Sequence, residues 1–187
     1  LASLVVGILT NHEHTGQRVW ANLLVNGYFF FTISLASLFF VALQFISEMA
    51  WGVTTQRIFH ATMSFMPISA IVLLLVFIGA SMHWNHIYHW MAEGITDPSS
   101  EHYDAIIAGK SAYLNQPFFW GRTIVYFVVW LFFANWFVKK SRAEDQLTVN
   151  HGESNPIYKK SIFMGILFIA FFAYTSSSSA WGQRPAA

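Results

Sequence analysis

Four long stretches of this chain contain no Asp, Glu, Lys or Arg, and they limit what the chain can fold into. They are Val19–Ser47, Ile58–Ala92, Thr123–Val138 and Ser161–Gln183. A helix needs roughly 20 apolar residues to cross the hydrocarbon core of a bilayer. Three of the stretches exceed this length, and Thr123–Val138 is the exception. It becomes long enough as Phe118–Val138 if Arg122 extends its side chain to the headgroups. The pattern indicates a membrane protein.

The same pattern predicts the fold class. Only helices and closed barrels satisfy main-chain hydrogen bonds in lipid, and these stretches lack the alternation of barrel strands. We therefore predict an all-α, polytopic transmembrane helical bundle without β-sheet, with residues 1–187 as a single transmembrane domain. The predicted segments are membrane helices at about 19–47, 58–82, 118–138 and 161–178, an external loop at 83–117 and a cytoplasmic loop at 139–160.

The beginning of the chain predicts one further, partial span. Residues 1–10 are apolar but too short to cross a bilayer, and they lack the basic flank of a signal peptide. We expect them to be the remainder of a membrane helix, which makes four full spans and one partial N-terminal span. We expect the chain to be a fragment of a larger subunit.

Composition excludes several classes of function. Charged residues make up 10% of the chain, against about 25% in soluble domains. A formal net charge of +1 is inconsistent with nucleic-acid binding, which needs a basic face. The absence of cysteine removes disulfides, thiolate metal sites, iron–sulfur clusters held by this chain and covalent c-type haem.

The distribution of basic residues predicts the orientation. Five basic residues flank the link between the third and fourth full spans: Lys139, Lys140, Arg142, Lys159 and Lys160. Because positive charge is retained on the cytoplasmic side, residues 139–160 are predicted to be cytoplasmic and residues 83–117 to be external.

Polar and helix-breaking residues within the spans predict helix contacts. Ser34 and Ser37 are three residues apart, so both can face a neighbouring helix and allow close approach. Pro67 lies inside the second span and is expected to kink it, because proline removes one main-chain hydrogen bond.

A segment rich in histidine and tryptophan follows the second span, and its candidate functional residues are His83, Trp84, His86, His89 and Trp90. On a helix His83 and His86 could share a metal, but no acid or cysteine is spaced to complete the site. Amphipathic rings commonly lie at the membrane interface. The favoured interpretation is therefore an interfacial belt that contacts headgroups or an external subunit.

Histidine positions argue against haem. A b-type haem needs histidines from packed helices at matching depths. At 1.5 Å per residue, His60 and His83 are roughly 35 Å apart along one helix, and the other full spans contain no histidine. We predict no cofactor and no metal site on this chain.

Glu48, Arg57 and His60 cluster around the predicted cytoplasmic turn between the first two spans. Ionisable groups within membranes often mark proton relays, which makes these three residues a candidate proton entry. The alternative is an ordinary boundary, with Glu48 and Arg57 facing water and His60 supporting helix packing. No carboxylate occurs deeper in any span, so no proton wire across the bilayer is evident.

Three segments carry a family resemblance: Trp20–Phe31 (WANLLVNGYFFF), His83–Met91 (HWNHIYHWM) and Gly94–Thr123. Together they resemble the F subunit of bacterial alternative complex III, which is similar to the polysulfide-reductase (NrfD-like) membrane subunits. The resemblance covers nearly all of residues 1–180. The chain departs from the family after Ser176, where the family continues into an acidic, tryptophan-containing segment.

The resemblance implies an integral, non-catalytic subunit of a respiratory quinol:cytochrome c (or oxidase-linked) oxidoreductase in the bacterial inner membrane. Its implied partners are a sister NrfD-like integral subunit, external multihaem cytochrome and iron–sulfur subunits, and lipids. Quinol, haem c and iron–sulfur clusters are then expected in the partner subunits. The alternative from a different class is a fragment of a membrane transporter or channel, for which Pro67 is the supporting feature.

Overall fold

The computed structural model describes residues 13–49, 52–82, 84, 87–88, 105–109, 115–144 and 156–181. The helices are α1 (Glu13–Ile46), α2 (Val53–Met63), α3 (Met66–Ser81), α4 (Ala105–Gly109), α5 (Gln116–Glu144) and α6 (Pro156–Trp181). No β-strand occurs in these ranges. The all-α prediction is confirmed, while the predicted partial helix at residues 1–10 lies outside the described residues.

Four helical segments in the described part of the chain are long and apolar enough to cross a membrane: Gln17–Ile46, Thr54–Ser81, Gln116–Glu144 and Ile157–Ser178. This confirms the prediction of four full spans. By their length and hydropathy, the segments make the chain a multi-pass membrane protein.

Helix α5 is longer at both ends than the sequence predicted. At its start, the Phe118 amide donates a 2.8 Å hydrogen bond to Asn115 Oδ1, which is the geometry of an N-cap. At its end the helix continues past residue 138 to Glu144. Lysine and arginine are good helix formers, and their long stems allow the charges to reach the headgroups.

The second span is interrupted close to Pro67. The Phe65 amide donates to the Thr62 carbonyl at 3.2 Å, so α2 ends in a tighter i→i−3 turn before α3 begins at Met66. The Ser34 hydroxyl lies 2.9 Å from the Phe30 carbonyl and 3.2 Å from the Thr62 carbonyl. The second span is therefore interrupted beside Pro67, and the expected contact of Ser34 with a neighbouring helix is confirmed.

The contacts divide the chain into two compact units. The first contains, among its described residues, the part of α1 up to Phe29, α3 from Ile68, α4 and α5 up to Ile124. Within this unit α1 and α3 approach closely at Gly27, where an added Cβ would lie 3.0 Å from Val72 Cγ1. A side chain larger than hydrogen at this position would force the two helices to adjust.

The second unit contains α1 from Phe30, α2, α5 from Val125 and α6. Aromatic side chains fill much of its interior: Phe31 contacts Phe127, and Phe45 stacks on Phe137 at a centroid distance of 5.7 Å. At Gly165 an added Cβ would lie only 3.1 Å from the Ala42 carbonyl oxygen. Glycine and stacked phenylalanine rings thus allow close packing of the helices. In lipid the hydrophobic effect does not drive helix association, so this packing must hold the helices together.

Candidate functional site

Four aromatic residues at the end of α3 and the start of α5 form a cluster in the first unit, which we call the aromatic clamp: Phe77, Tyr88, Phe119 and Trp120. The Phe77 and Phe119 rings meet edge to face at 5.4 Å, and Tyr88 lies 6.1 Å from Phe77 and 6.3 Å from Phe119. Trp120 Nε1 donates to Ser81 Oγ at 3.0 Å. The clamp therefore joins the end of α3, the start of α5 and residue 88 beyond α3.

The aromatic clamp holds part of the segment that follows α3. Each ring pair of this geometry stabilises a fold by about 0.5–1.5 kcal/mol in addition to the contribution from the buried apolar area. Burial raises the pKa of the Tyr88 phenol above its usual value, so the ring stays neutral at physiological pH. Tyr88 therefore acts as a neutral anchor.

Trp84 occupies the same segment but projects outward. Its amide donates to the Gly79 carbonyl at 2.9 Å, which places its backbone on the end of α3, while 66% of the residue is exposed. A large aromatic side chain that is exposed on an anchored backbone is available for contact with another molecule.

The other predicted residues of this segment, His83, His86, His89 and Trp90, lie outside the described residues. Among the residues that the structure does describe, no group of three histidine, aspartate or glutamate side chains could hold a metal ion. The favoured interpretation of an interfacial belt thus depends on the geometry of Trp84 and Tyr88.

The second candidate site belongs to the second unit and contains Glu48, Arg57 and His60. Glu48 and Arg57 are exposed, whereas His60 is buried with 8% of its surface accessible. The second membrane-length helical segment begins at Thr54, which puts His60 roughly 9 Å inside its end at 1.5 Å per residue. The three residues therefore do not share one environment.

Glu48 has a left-handed backbone conformation with φ of 50°. It follows the last turn of α1, where its amide donates to the Phe45 carbonyl and the Met49 amide donates to the Gln44 carbonyl. These two bonds define a Schellman motif, whose left-handed position is usually occupied by glycine. The conformation of Glu48 is thus explained by the termination of the helix.

Replacing Glu48 with glycine is expected to raise the free energy of unfolding by about 1 kcal/mol, because a left-handed conformation costs a residue with a Cβ about that much. Glu48→Gln keeps the Cβ and is expected to change stability by less than about 0.5 kcal/mol. Unfolding in mixed detergent micelles measures both. A lower stability for the glycine variant would show that the glutamate side chain stabilises the turn.

Two serine hydroxyls of the second unit, one on α1 and one just after α2, donate to main-chain carbonyls. Ser64 Oγ donates to the His60 carbonyl at 3.0 Å, and Ser37 Oγ donates to the Ile33 carbonyl at 3.0 Å. Such bonds to the preceding turn satisfy hydroxyls within a membrane helix. A proton path through these serines would require the hydroxyl groups to rotate away from their carbonyls.

Two polar contacts in the second unit join residues whose partners the sequence does not identify. Gln44 Nε2 lies 3.4 Å from Thr55 Oγ1 and so links α1 to α2, and the Tyr126 and Ser178 hydroxyls are hydrogen-bonded between α5 and α6. An uncharged polar residue within a span signals such a bond, but the partner is not evident from the sequence.

No protein-family model matches the chain, and no protein of curated function matches it.

Proposed function

We propose that this chain is a membrane-spanning, non-catalytic subunit of a respiratory quinol oxidoreductase in the bacterial inner membrane. In this role it anchors external cytochrome and iron–sulfur subunits beside a related integral subunit. The redox cofactors, haem c and iron–sulfur clusters, belong to those partners, and quinol is oxidised in the assembled complex. Residues 83–117 face the periplasm, and residues 139–160 face the cytoplasm.

The observation that carries the proposal is the exposed Trp84, which precedes the anchored Tyr88 in the segment after α3. Docking of an external subunit requires a rigid platform above the membrane with a large apolar side chain available, because aromatic anchors dominate the energetics of many interfaces. The aromatic clamp supplies the rigidity. The resemblance of residues 83–91 to the subunit family supports the same assignment.

Purification of the full-length protein from native membranes tests this role. We expect cytochrome and iron–sulfur subunits to co-purify with it, and we expect the isolated chain to bind neither haem nor iron. Absorbance in the Soret region and iron analysis give the second result. A stoichiometric b-type spectrum on the isolated chain, or isolation from native membrane without redox partners, would contradict the proposal.

A contribution to proton conduction is the second part of the proposal, with Glu48, Arg57 and His60 as the entry. The position of His60 supports proton entry here, because His60 is buried on α2 between the exposed Arg57 and the interruption of the second span after Met63. Glu48→Gln is expected to lower the proton-to-electron ratio of the assembled complex without lowering its stability. An unchanged ratio would remove this part of the proposal.

The alternative, a fragment of a transporter or channel, is favoured by one observation, the interruption of the second span before Pro67. However, the main chain at the interruption forms a tight i→i−3 turn and is not unwound as in the broken helices of transporters. The Ser34 hydroxyl also contacts the Thr62 carbonyl there. Solute flux in vesicles containing the purified chain alone would support this alternative over a subunit role.

A further inference from the structure

Helices α5 and α6 of the second unit are antiparallel and paired in a definite register. The Phe133 and Phe168 rings lie 5.4 Å apart, and farther along the pair Tyr126 bonds to Ser178. Two helical turns, about seven residues, lead from Phe133 to Lys140 on α5 and from Phe168 back to Ser161 on α6. The register therefore places the end of α5 level with the start of α6.

A second set of contacts supports this placement. The Phe45 ring stacks on Phe137 of α5 at 5.7 Å and contacts Tyr158 of α6 at 5.8 Å. Ser141 and Ser161 are buried, with 5% and 0% of their surfaces accessible. The two helix ends are thus packed around one ring of α1 and contain small side chains at the same level.

This arrangement brings basic side chains from two helices to one depth. Lys139 and Arg142 on α5 and Lys159 and Lys160 on α6 are exposed, and Lys140 is half-buried. The described acidic groups that interact electrostatically with Tyr158 on this face are Glu48 and Glu144. Five cations against two carboxylates leave the described surface positive.

Each set of cations stands at the end of an exposed apolar stripe on its own helix. On α5 the stripe leads to Lys139 through three residues spaced three to four apart: Val125, Val128 and Phe132. On α6 it begins after Lys159 and Lys160 with Phe163, Ile166 and Leu167. Residues at this spacing share a helix face, so cation and stripe face the same surroundings.

We propose that the paired ends of α5 and α6 bind an anionic phospholipid. The cations contact its phosphate, and its acyl chains lie along the exposed apolar stripes. The cations lie at the level of the lipid headgroups and match the negative charge of the phosphate. The apolar stripes below them match the acyl chains of the same ligand. A zwitterionic lipid offers the same acyl chains without net negative charge, so it binds more weakly. Lipid binding at this site is independent of a role in respiration.

Titration of the purified full-length protein in neutral detergent tests the site. The probes are phosphatidylglycerol, phosphatidylcholine and inorganic phosphate, and the rise of the unfolding midpoint with concentration gives an apparent affinity. The double variant Lys159→Gln/Lys160→Gln removes two cations of the site. The matched control, Arg18→Gln/Arg122→Gln, removes two cations of the first unit and changes the net charge by the same amount.

We expect phosphatidylglycerol to stabilise the native protein more than phosphatidylcholine does. The lysine variant should lose about 25-fold in affinity for phosphatidylglycerol, at about fivefold per cation near an anionic surface, whereas the arginine control should lose less than about fivefold. Unfolding without lipid shows that both variants are folded. Equal losses in the two variants, no preference between the two lipids, or full stabilisation by inorganic phosphate would each overturn the proposal.

Discussion

Trp84→Ala is expected to lower the retention of external subunits in the purified complex by tenfold or more. Truncation of a central interface tryptophan commonly costs about 2 kcal/mol or more, which corresponds to about 30-fold in affinity. Because Trp84 is 66% exposed, its removal should leave the fold intact. Quantitative mass spectrometry of the complex, normalised to this chain, measures the retention.

Variants of Tyr88 separate the anchor from the contact surface. Tyr88→Ala removes the ring that contacts Phe77 and Phe119, so it should also weaken retention. Tyr88→Phe keeps both ring contacts and should retain the partners. Phe163→Ala, which removes a ring that is 60% exposed on α6, is the control. A complex unchanged by Trp84→Ala, or weakened equally by Phe163→Ala, would reject the docking role.

Phe168→Ala is expected to lower the free energy of unfolding by about 2 kcal/mol. Phe168 is fully buried, and its ring lies 5.4 Å from Phe133 and 5.9 Å from Phe172. In lipid the transfer of an apolar side chain contributes little to helix association, so the cavity accounts for most of the cost. A cavity of roughly 100 Å³ at about 24 cal/mol per Å³ gives this value.

The exposed Phe163 on the same helix provides the matched comparison. Phe163→Ala removes an identical group but leaves no cavity, so its effect should stay within about 0.5 kcal/mol. Unfolding in mixed micelles measures both variants. Equal effects would show either that the packing around Phe168 collapses without cost or that Phe163 contributes to a contact in solution.

The register of α5 and α6 also links stability to lipid binding. Phe133 and Phe168 set the pairing that brings Lys139 and Lys159 to one level. A variant that loosens this contact should therefore weaken phosphatidylglycerol binding although it removes no cation. Residues deep in the span would then influence a ligand site at its edge through helix packing alone.

The number of spans and the helical fold followed from the amino-acid sequence, because a bilayer acts on each segment separately. Main-chain hydrogen bonds must be satisfied within each apolar stretch, so length and charge alone predicted the helices. The interruption near Pro67 followed for the same local reason, since proline lacks the amide that would continue the helix. The sequence boundaries of α5 were too short, because long basic side chains extend a helix beyond its apolar part.

The candidate sites depended on contacts between distant residues. Tyr88 could not be recognised as an anchor until Phe119, far along the chain, was placed against it. Similarly, the basic residues on α5 and α6 predicted an orientation, but only the register of two helices showed that they lie at one depth. Hydropathy is a sum over neighbouring residues, whereas packing depends on the matching shapes of surfaces from different helices. For this reason the membrane class of the protein was evident from residue types, and the surfaces proposed for subunits and lipids required the tertiary structure.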